Sequence, residues 1–113
     1  MEVSFREKGH TRIVDVVGGV DLKSAPQLRK LLFEALGEAP KVAVNLAGIS
    51  GIDSSGIAVL LEALLESQRL HRQFVLFGTN PAVHDVFGIT HVAKVFQVAA
   101  NEEQALSAEN PNN

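Results

Sequence analysis

The sequence predicts an α/β fold, a mixed sheet of four to five strands with about four helices mainly on one side. β-branched apolar runs alternate along the chain with amphipathic helical segments, and each helical segment shows a single apolar stripe. The chain has 113 residues and a hydrophobic fraction of 46%, enough for the core of one domain. We expect a single domain over residues 1–108 and a frayed polar tail over residues 109–113.

The amino-terminal third predicts a β-hairpin followed by a helix. Apolar and charged residues alternate over 3–8, which is typical of an edge strand, and residues 13–17 supply its partner after a turn at Gly9. Ser24 and Gln27 have the spacing of a capping box, which predicts a helix start. One face of that helix carries an apolar stripe formed by Leu28, Leu31, Leu32, Ala35 and Leu36.

The remaining elements continue the alternation of strands and helices. Residues 41–46 predict a buried central strand, and residues 47–53 predict a loop that leads into a second helix. The core stripe predicted for the second helix consists of Ile57, Leu60, Leu61, Leu64 and Leu65. Two further strands are predicted at residues 74–77 and 95–98. Two short helices are predicted at residues 80–87 and from Asn101 onward.

Composition narrows the classes of function. Thirteen acidic and ten basic residues give a net charge of −3, which disfavours nonspecific binding to nucleic acid. Cysteine is absent, so thiol catalysis, disulfides and zinc ribbons are excluded. The scattered histidines lack metal-ligand spacing, and we expect no metal and no cofactor. Because neither a signal peptide nor a membrane span is recognisable, we expect a cytoplasmic protein without membrane insertion.

The usual catalytic motifs are also missing. The sequence contains neither the P-loop pattern nor the dinucleotide-binding G-x-G-x-x-G pattern. Neither Ser54 nor Ser55 lies in the G-x-S-x-G pattern of a hydrolase. The sequence therefore predicts a protein that is not an enzyme.

One segment, Asp53-Ser54-Ser55-Gly56, lies where the predicted loop meets the second helix. The first turn of a helix leaves backbone N–H groups without partners, and Asp53 or Ser54 could cap them. On this interpretation the segment only starts a helix. On the other interpretation a serine hydroxyl is presented at an exposed helix N-terminus, where a phosphoryl group would add a charge of roughly −1.5 to −2. The residues alone leave both interpretations open.

Asp21 is a second candidate. It follows Gly19 and Val20 at the end of a predicted strand, where its carboxylate could simply hydrogen-bond its own turn. Alternatively it lies close to Ser54, on the rim formed by the connections that follow the carboxyl ends of the strands. The connections from neighbouring parallel strands gather at one such edge of a sheet. These two interpretations also remain open.

Three segments together resemble the STAS domain family, and within it the bacterial anti-sigma factor antagonists. Residues 18–21 (GGVD) look like the family's G-x-L-D, and residues 42–57 look like its hallmark strand, loop and D-S-S-G-L helix start. Residues 81–87, with Val95-Phe96, look like the later helix and last strand. The resemblance covers about residues 3–107. Four positions depart from the family pattern while keeping volume or polarity: Val20, Asn45, Ala47 and Ile57.

The resemblance implies a protein switch. An unphosphorylated antagonist of this family binds an anti-sigma factor that is also a serine kinase, and thereby frees a sigma factor. The kinase then phosphorylates the first serine after the aspartate, here Ser54, and a metal-dependent serine phosphatase resets the switch. The implied partner-binding residues are Asp21, Asp53, Ser54, Ser55 and Gly56.

A second function is also compatible with the resemblance. Single STAS domains resemble cytoplasmic accessory subunits of lipid-transporting ABC systems, which need D-S-x-G for shape and do not need phosphorylation. No sequence motif supports a third possibility, an enzyme or nucleotide-binding module.

Overall fold

The computed structural model describes residues 1–90 and 93–111 of the chain. Its strands are β1 (Glu2–Lys8), β2 (Thr11–Val20), β3 (Lys41–Ile52), β4 (Gln73–Phe77) and β5 (Gln97–Ala99). Its helices are α1 (Ala25–Glu38), α2 (Ser54–Arg69), α3 (Pro81–Thr90) and α4 (Glu102–Ser107), with a short 3-10 turn at Ala93–Val95.

The five strands form one mixed sheet in the order β1-β2-β3-β4-β5. The hairpin partners β1 and β2 are antiparallel, whereas every later neighbour is parallel because a helix carries the chain back between strands. The predicted fold class and element order are confirmed.

The main core lies between one face of the sheet and the helices α1 and α2. Leu28 and Leu32 of α1 and Leu60 of α2 are fully buried there, against strand residues such as Val14 and Val44. Val83 of α3 belongs to the same core. On the other face α4 packs against the sheet through the buried Ala105. The helices thus cover mainly one side, as predicted.

The third strand is twice as long as the sequence predicted. Residues 47–52, predicted as a loop, continue β3 and pair in parallel with Val17–Val20, with one register shift before this stretch and one inside it. Ile49 and Ile52 are buried, so this extension belongs to the core. Gly48 permits the close approach of the two strands, because a Cβ there would lie 2.9 Å from the Val17 side chain.

The predicted core face of α2 is also partly wrong. Leu65 is 64% exposed, and Leu61 and Leu64 are only half-buried. Three of the residues on the face that packs inward are small: Gly56, Ala63 and Ser67. The other buried residues of α2 are Ile57, Val59 and Leu60. Ser67 satisfies its hydroxyl by donating to the Leu64 carbonyl at 2.6 Å. Small side chains let the helix lie close to the sheet, which turns Leu65 outward.

One prediction near the carboxyl end needs correction. The last strand lies at Gln97–Ala99 rather than 95–98, because Ala93–Val95 form a 3-10 turn. The residue predicted to begin the frayed tail, Glu109, accepts a hydrogen bond from the Gln97 side chain at 2.9 Å through its carbonyl. The domain boundary at residue 108 stays a prediction. The last two residues of the predicted tail, Asn112 and Asn113, lie outside the described residues. The same holds for His91, one of the scattered histidines.

Candidate functional site

The carboxyl ends of β2 and β3 lie side by side. Val20 pairs with Ile52, and the backbone N–H of Asp53 donates to the Val20 carbonyl at 3.1 Å. Asp21 and Asp53 therefore follow directly from two adjacent strand ends. The prediction that both residues lie at one edge of the sheet is confirmed.

Asp53 is the N-cap of α2. Its backbone is extended, and its Oδ1 accepts hydrogen bonds from the N–H groups of Ser55 at 2.9 Å and Gly56 at 3.2 Å. Two of the N–H groups that a helix start leaves unpaired are thus satisfied. The negative charge also lies at the positive end of the helix dipole, which is favourable. Of the two caps that the sequence allowed, Asp53 and Ser54, the structure has Asp53.

Ser54 is the first residue of α2 and its side chain is exposed. Within residues 1–90 and 93–111, no hydrogen bond involves the Ser54 hydroxyl, because Asp53 has already satisfied the nearby N–H groups. Ser55 is half-buried, so Ser54 is the more accessible of the two serines. The arrangement presents one uncommitted hydroxyl to solvent.

Gly56 does not share this exposure. It is buried against the strand ends, and a Cβ there would lie 2.6 Å from Ile52 Cγ1 and 2.8 Å from Val20 Cγ1. Glycine is therefore required so that the first turn of α2 can approach β2 and β3. Gly56 therefore has a packing role, and its predicted contact with a partner stays a prediction.

Asp21 organises the turn that leads into α1. Its Oδ1 accepts hydrogen bonds from the N–H groups of Lys23 at 2.9 Å and Ser24 at 3.1 Å, and its carbonyl accepts from the Ala25 N–H at 2.8 Å. These backbone hydrogen bonds, the one from Ser24 first, hold the pKa of Asp21 below its usual range. Asp21 is thus an exposed, ionised carboxylate beside the start of α2.

The capping box predicted at Ser24 is wrong. Ser24 has helical backbone angles and makes no side-chain cap, and its hydroxyl instead accepts a hydrogen bond from the Asp21 N–H at 2.9 Å. The Asp21 carboxylate binds the N–H groups of Lys23 and Ser24, so the turn into α1 is organised by Asp21 and not by a Ser24 cap. This is the structural interpretation of Asp21, and it is compatible with a place on the rim.

Asn80 lies between the end of β4 and the start of α3, and it supports the site from there. Its Nδ2 donates to the carbonyls of Leu46 at 3.1 Å and Ile49 at 2.9 Å, while its Oδ1 accepts from the Val83 N–H. One side chain thus caps α3 and fixes the outer half of β3, which carries Asp53. The sequence predicted the cap but not the link to β3.

A polar network on the opposite face of the sheet was not predicted. Arg6 binds Asp15 and, across most of the chain length, Glu102 of α4, both at 2.6 Å. Asn45 donates to Asp15 at 2.8 Å. The hydrogen bond from Arg6 lowers the pKa of Asp15. Because these groups satisfy one another, the network fastens α4 to the sheet and leaves no free acid or base for chemistry.

The described residues also bear on metal binding and on membrane insertion. In residues 1–90 and 93–111 there is no group of three or more histidine, aspartate or glutamate side chains that could hold a metal ion. Among the described helices none is both long enough and apolar enough to span a bilayer.

Fold and site together define a small α/β domain that presents an uncommitted serine at a capped helix start, beside two carboxylates. A comparison with known families identifies this class. The STAS domain family matches residues 2–105, and the chain belongs to that family. The resemblance found in the sequence is confirmed.

Individual relatives agree with this assignment. The anti-sigma F factor antagonist of Lysinibacillus sphaericus is 27% identical over 108 residues, which are 94% of this chain and 89% of the relative. An anti-sigma factor antagonist from Mycobacterium paratuberculosis has a similar structure, with a TM-score of 0.83, 19% identity and coverage of 94% of this chain and 91% of that one. The Bacillus cell fate determinant SpoIIAA in its phosphorylated form gives a TM-score of 0.70 at 21% identity, covering 93% of this chain and 96% of that one.

Proposed function

We propose that this protein is an anti-sigma factor antagonist that acts in the cytoplasm as a phosphorylation switch. In the unphosphorylated state it binds an anti-sigma factor with serine kinase activity, and a sigma factor is released. Phosphorylation of Ser54 ends that binding, and a metal-dependent serine phosphatase restores it. Membership of the STAS family and the name of the Lysinibacillus relative support the antagonist role.

The observation that carries the proposal is the exposed Ser54 hydroxyl at the start of α2. Asp53 already occupies the N–H groups of Ser55 and Gly56, so Ser54 has no structural duty that phosphorylation would disturb. A phosphoryl group would add a charge of roughly −1.5 to −2 at the positive end of the helix dipole. The fold tolerates that charge, while a partner docked on the rim meets a large change.

The chemistry of the switch belongs to its partner enzymes. Phosphoryl transfer needs a bound nucleotide, Mg²⁺ and a residue that orients the attacking hydroxyl, and the kinase supplies them. This chain contributes the hydroxyl and the surface that positions it. Asp21 and Asp53 give that surface a negative charge, which complements a basic patch on the kinase.

The test uses the anti-sigma factor encoded with this chain, purified and incubated with the chain, ATP and Mg²⁺. We expect one phosphoryl group in the intact mass, located on Ser54 by peptide sequencing. Ser54→Ala should abolish the modification and keep binding, whereas Ser54→Asp should weaken binding. The matched control Ser55→Ala should still be phosphorylated.

Two results would overturn the proposal. Phosphate on Ser55 with Ser54 unmodified would show that the acceptor is wrongly assigned. Stable association of the chain with a permease and its ATPase, and no binding to an anti-sigma factor, would indicate a transporter subunit instead.

A further inference from the structure

The first strand, β1, forms an open edge of the sheet. Among the described strands only β2 lies beside it, and all seven residues of β1 are exposed or half-buried. Proteins often protect such an edge with a proline, a bulge or a very short strand. β1 contains no proline and pairs with β2 over its whole length without a register shift. A regular edge of this length can accept a further strand.

The turn after β1 decides which of its backbone groups face outward. Gly9 and His10 form a two-residue turn, with Gly9 at a φ of 60°, and Lys8 lies opposite Thr11 across it. The residues that flank such a turn are a hydrogen-bonded pair, and along an antiparallel ladder these pairs alternate with pairs that are not hydrogen-bonded. The even-numbered residues of β1 therefore bond to β2. The odd-numbered residues direct their N–H and C=O groups away from the sheet: Val3, Phe5 and Glu7.

The sequence of β1 is complementary to itself when two copies run antiparallel and are centred on Phe5. Glu2 then faces Lys8 of the second copy, and Ser4 faces Arg6 of the second copy. Phe5, which is 43% exposed, faces Phe5 of the second copy. Opposite charges and aromatic pairs directly across an antiparallel ladder are favourable. Because Phe5 is one of the residues with outward backbone groups, this register also gives every outward N–H and C=O of β1 a hydrogen-bond partner.

The charges that meet in this register are available. Among the residues that the structure describes, Glu2 has no ion-pair partner. Lys8 lies 3.4 Å from Glu102, and its side chain is 52% exposed, so it can contact a second carboxylate. Arg6 already binds two carboxylates, and the small Ser4 side chain opposite it leaves both pairs intact.

We propose that two copies of this chain associate through β1, antiparallel and centred on Phe5, so that their five-stranded sheets join into one continuous sheet. The backbone hydrogen bonds hold the two strands together, and the two symmetric Glu2–Lys8 pairs fix the register. The interface is separate from the candidate phosphorylation site, because Ser54 follows β3 and β2 lies between β3 and β1. Both Ser54 residues of the dimer stay open to a partner.

The first test is sedimentation velocity of the wild type and of charge variants over rising protein concentrations. We expect the wild type to dimerise. Glu2→Lys places two lysines opposite each other in each charge pair, and Lys8→Glu places two glutamates there, so each variant alone should be monomeric. An equimolar mixture of the two variants should form dimers, because every charge pair again joins opposite charges. The matched control, Lys30→Glu on the exposed side of α1, should dimerise like the wild type.

The second test, cysteine cross-linking, reports the register independently of charge. The chain has no cysteine, so a single introduced one is unambiguous. In the proposed register the two copies of Phe5 face each other with their Cα atoms about 5.5 Å apart, a separation that a disulfide spans. The two copies of Ser4 are diagonal neighbours about 7–8 Å apart, which is too far. Phe5→Cys should therefore give a disulfide-linked dimer under mild oxidation, and Ser4→Cys should not.

Four results would overturn the proposal: a wild type that stays monomeric at every concentration, a Glu2→Lys variant that still dimerises, a mixture of the two charge variants that stays monomeric although both are folded, and cross-linking of Ser4→Cys without cross-linking of Phe5→Cys. The last result would show that the strands pair in another register. Glu2→Lys and the cysteine variants leave the contact between Lys8 and Glu102 unchanged, so they decide the question even if Lys8→Glu does not fold.

Discussion

Replacing Gly56 by alanine tests the packing that holds the start of α2 against the sheet. Alanine normally favours a helix by about 1 kcal/mol relative to glycine. At this position, however, the new methyl group would lie 2.6 Å from Ile52 Cγ1, 2.8 Å from Val20 Cγ1 and 2.9 Å from Ile52 Cδ1. All three distances are shorter than a carbon–carbon contact allows, so the side chains of Ile52 and Val20, or α2 itself, must shift.

The size of the effect follows from two opposing terms. Inserting a methyl group into a packed core costs about 1–3 kcal/mol, and the gain in helix propensity recovers at most about 1 kcal/mol. We expect Gly56→Ala to lower the free energy of unfolding by up to about 2 kcal/mol. For a domain of this size, that corresponds to a melting temperature lower by up to about 8 °C.

The chain offers a matched control in α1. Gly37 is exposed, and a Cβ there would meet nothing within 4 Å. Gly37→Ala should therefore raise the free energy of unfolding by up to about 1 kcal/mol, because only the propensity changes. Urea and thermal unfolding of both variants and the wild type measure whether each substitution raises or lowers the free energy of unfolding. A rise in stability for Gly56→Ala equal to that of Gly37→Ala would refute the close approach of α2.

Two further predictions concern carboxylates. Asp53→Asn keeps an N-cap and loses a charge that the helix dipole favours by at most about 1 kcal/mol, so we expect a melting temperature at most a few degrees lower. We also expect weaker binding to the anti-sigma factor and a flatter salt dependence in titrations over a salt series. Wild-type affinity at low salt would contradict the role of this charge. Asp15→Asn should lower the free energy of unfolding at neutral pH by about 1 kcal/mol, since Arg6 is 40% exposed and solvent screens the pair. Because the Arg6 hydrogen bond lowers the pKa of Asp15 in the folded state, this stabilisation is present above about pH 4 and is lost as the pH falls further. A difference between variant and wild type that stays constant from neutral pH to about pH 3 would show that the charge is not its cause.

The parts of the site that the sequence predicted correctly depend on neighbours along the chain. Asp53 caps α2 through N–H groups two and three residues away, and Asp21 binds its own turn over the same separations. Such hydrogen bonds need only a short side chain and a local turn, so residue type and spacing indicate them. The alternation of strands and helices was predictable for a similar reason, because hydrophobic periodicity is a local pattern.

Features that depend on residues far apart in the chain could not be predicted from local sequence patterns. Residues 47–52 contain two glycines and no continuous apolar run, and they become a strand because β2 offers unpaired backbone groups beside them. Leu65 fits a helical core stripe by spacing, yet Gly56 and Ala63 let the opposite edge of that stripe approach the sheet more closely.

The link from Arg6 to Glu102 joins residues 96 positions apart, and only the packing of α4 on the second face of the sheet brings them together. The sequence by itself therefore determined the order of the elements and the cap beside Ser54, since both follow from interactions within a few residues. The tertiary structure decided the length of β3, the outward face of α2 and the surface open to a partner. These depend on how closely two backbones approach, which is set by side chains on both elements.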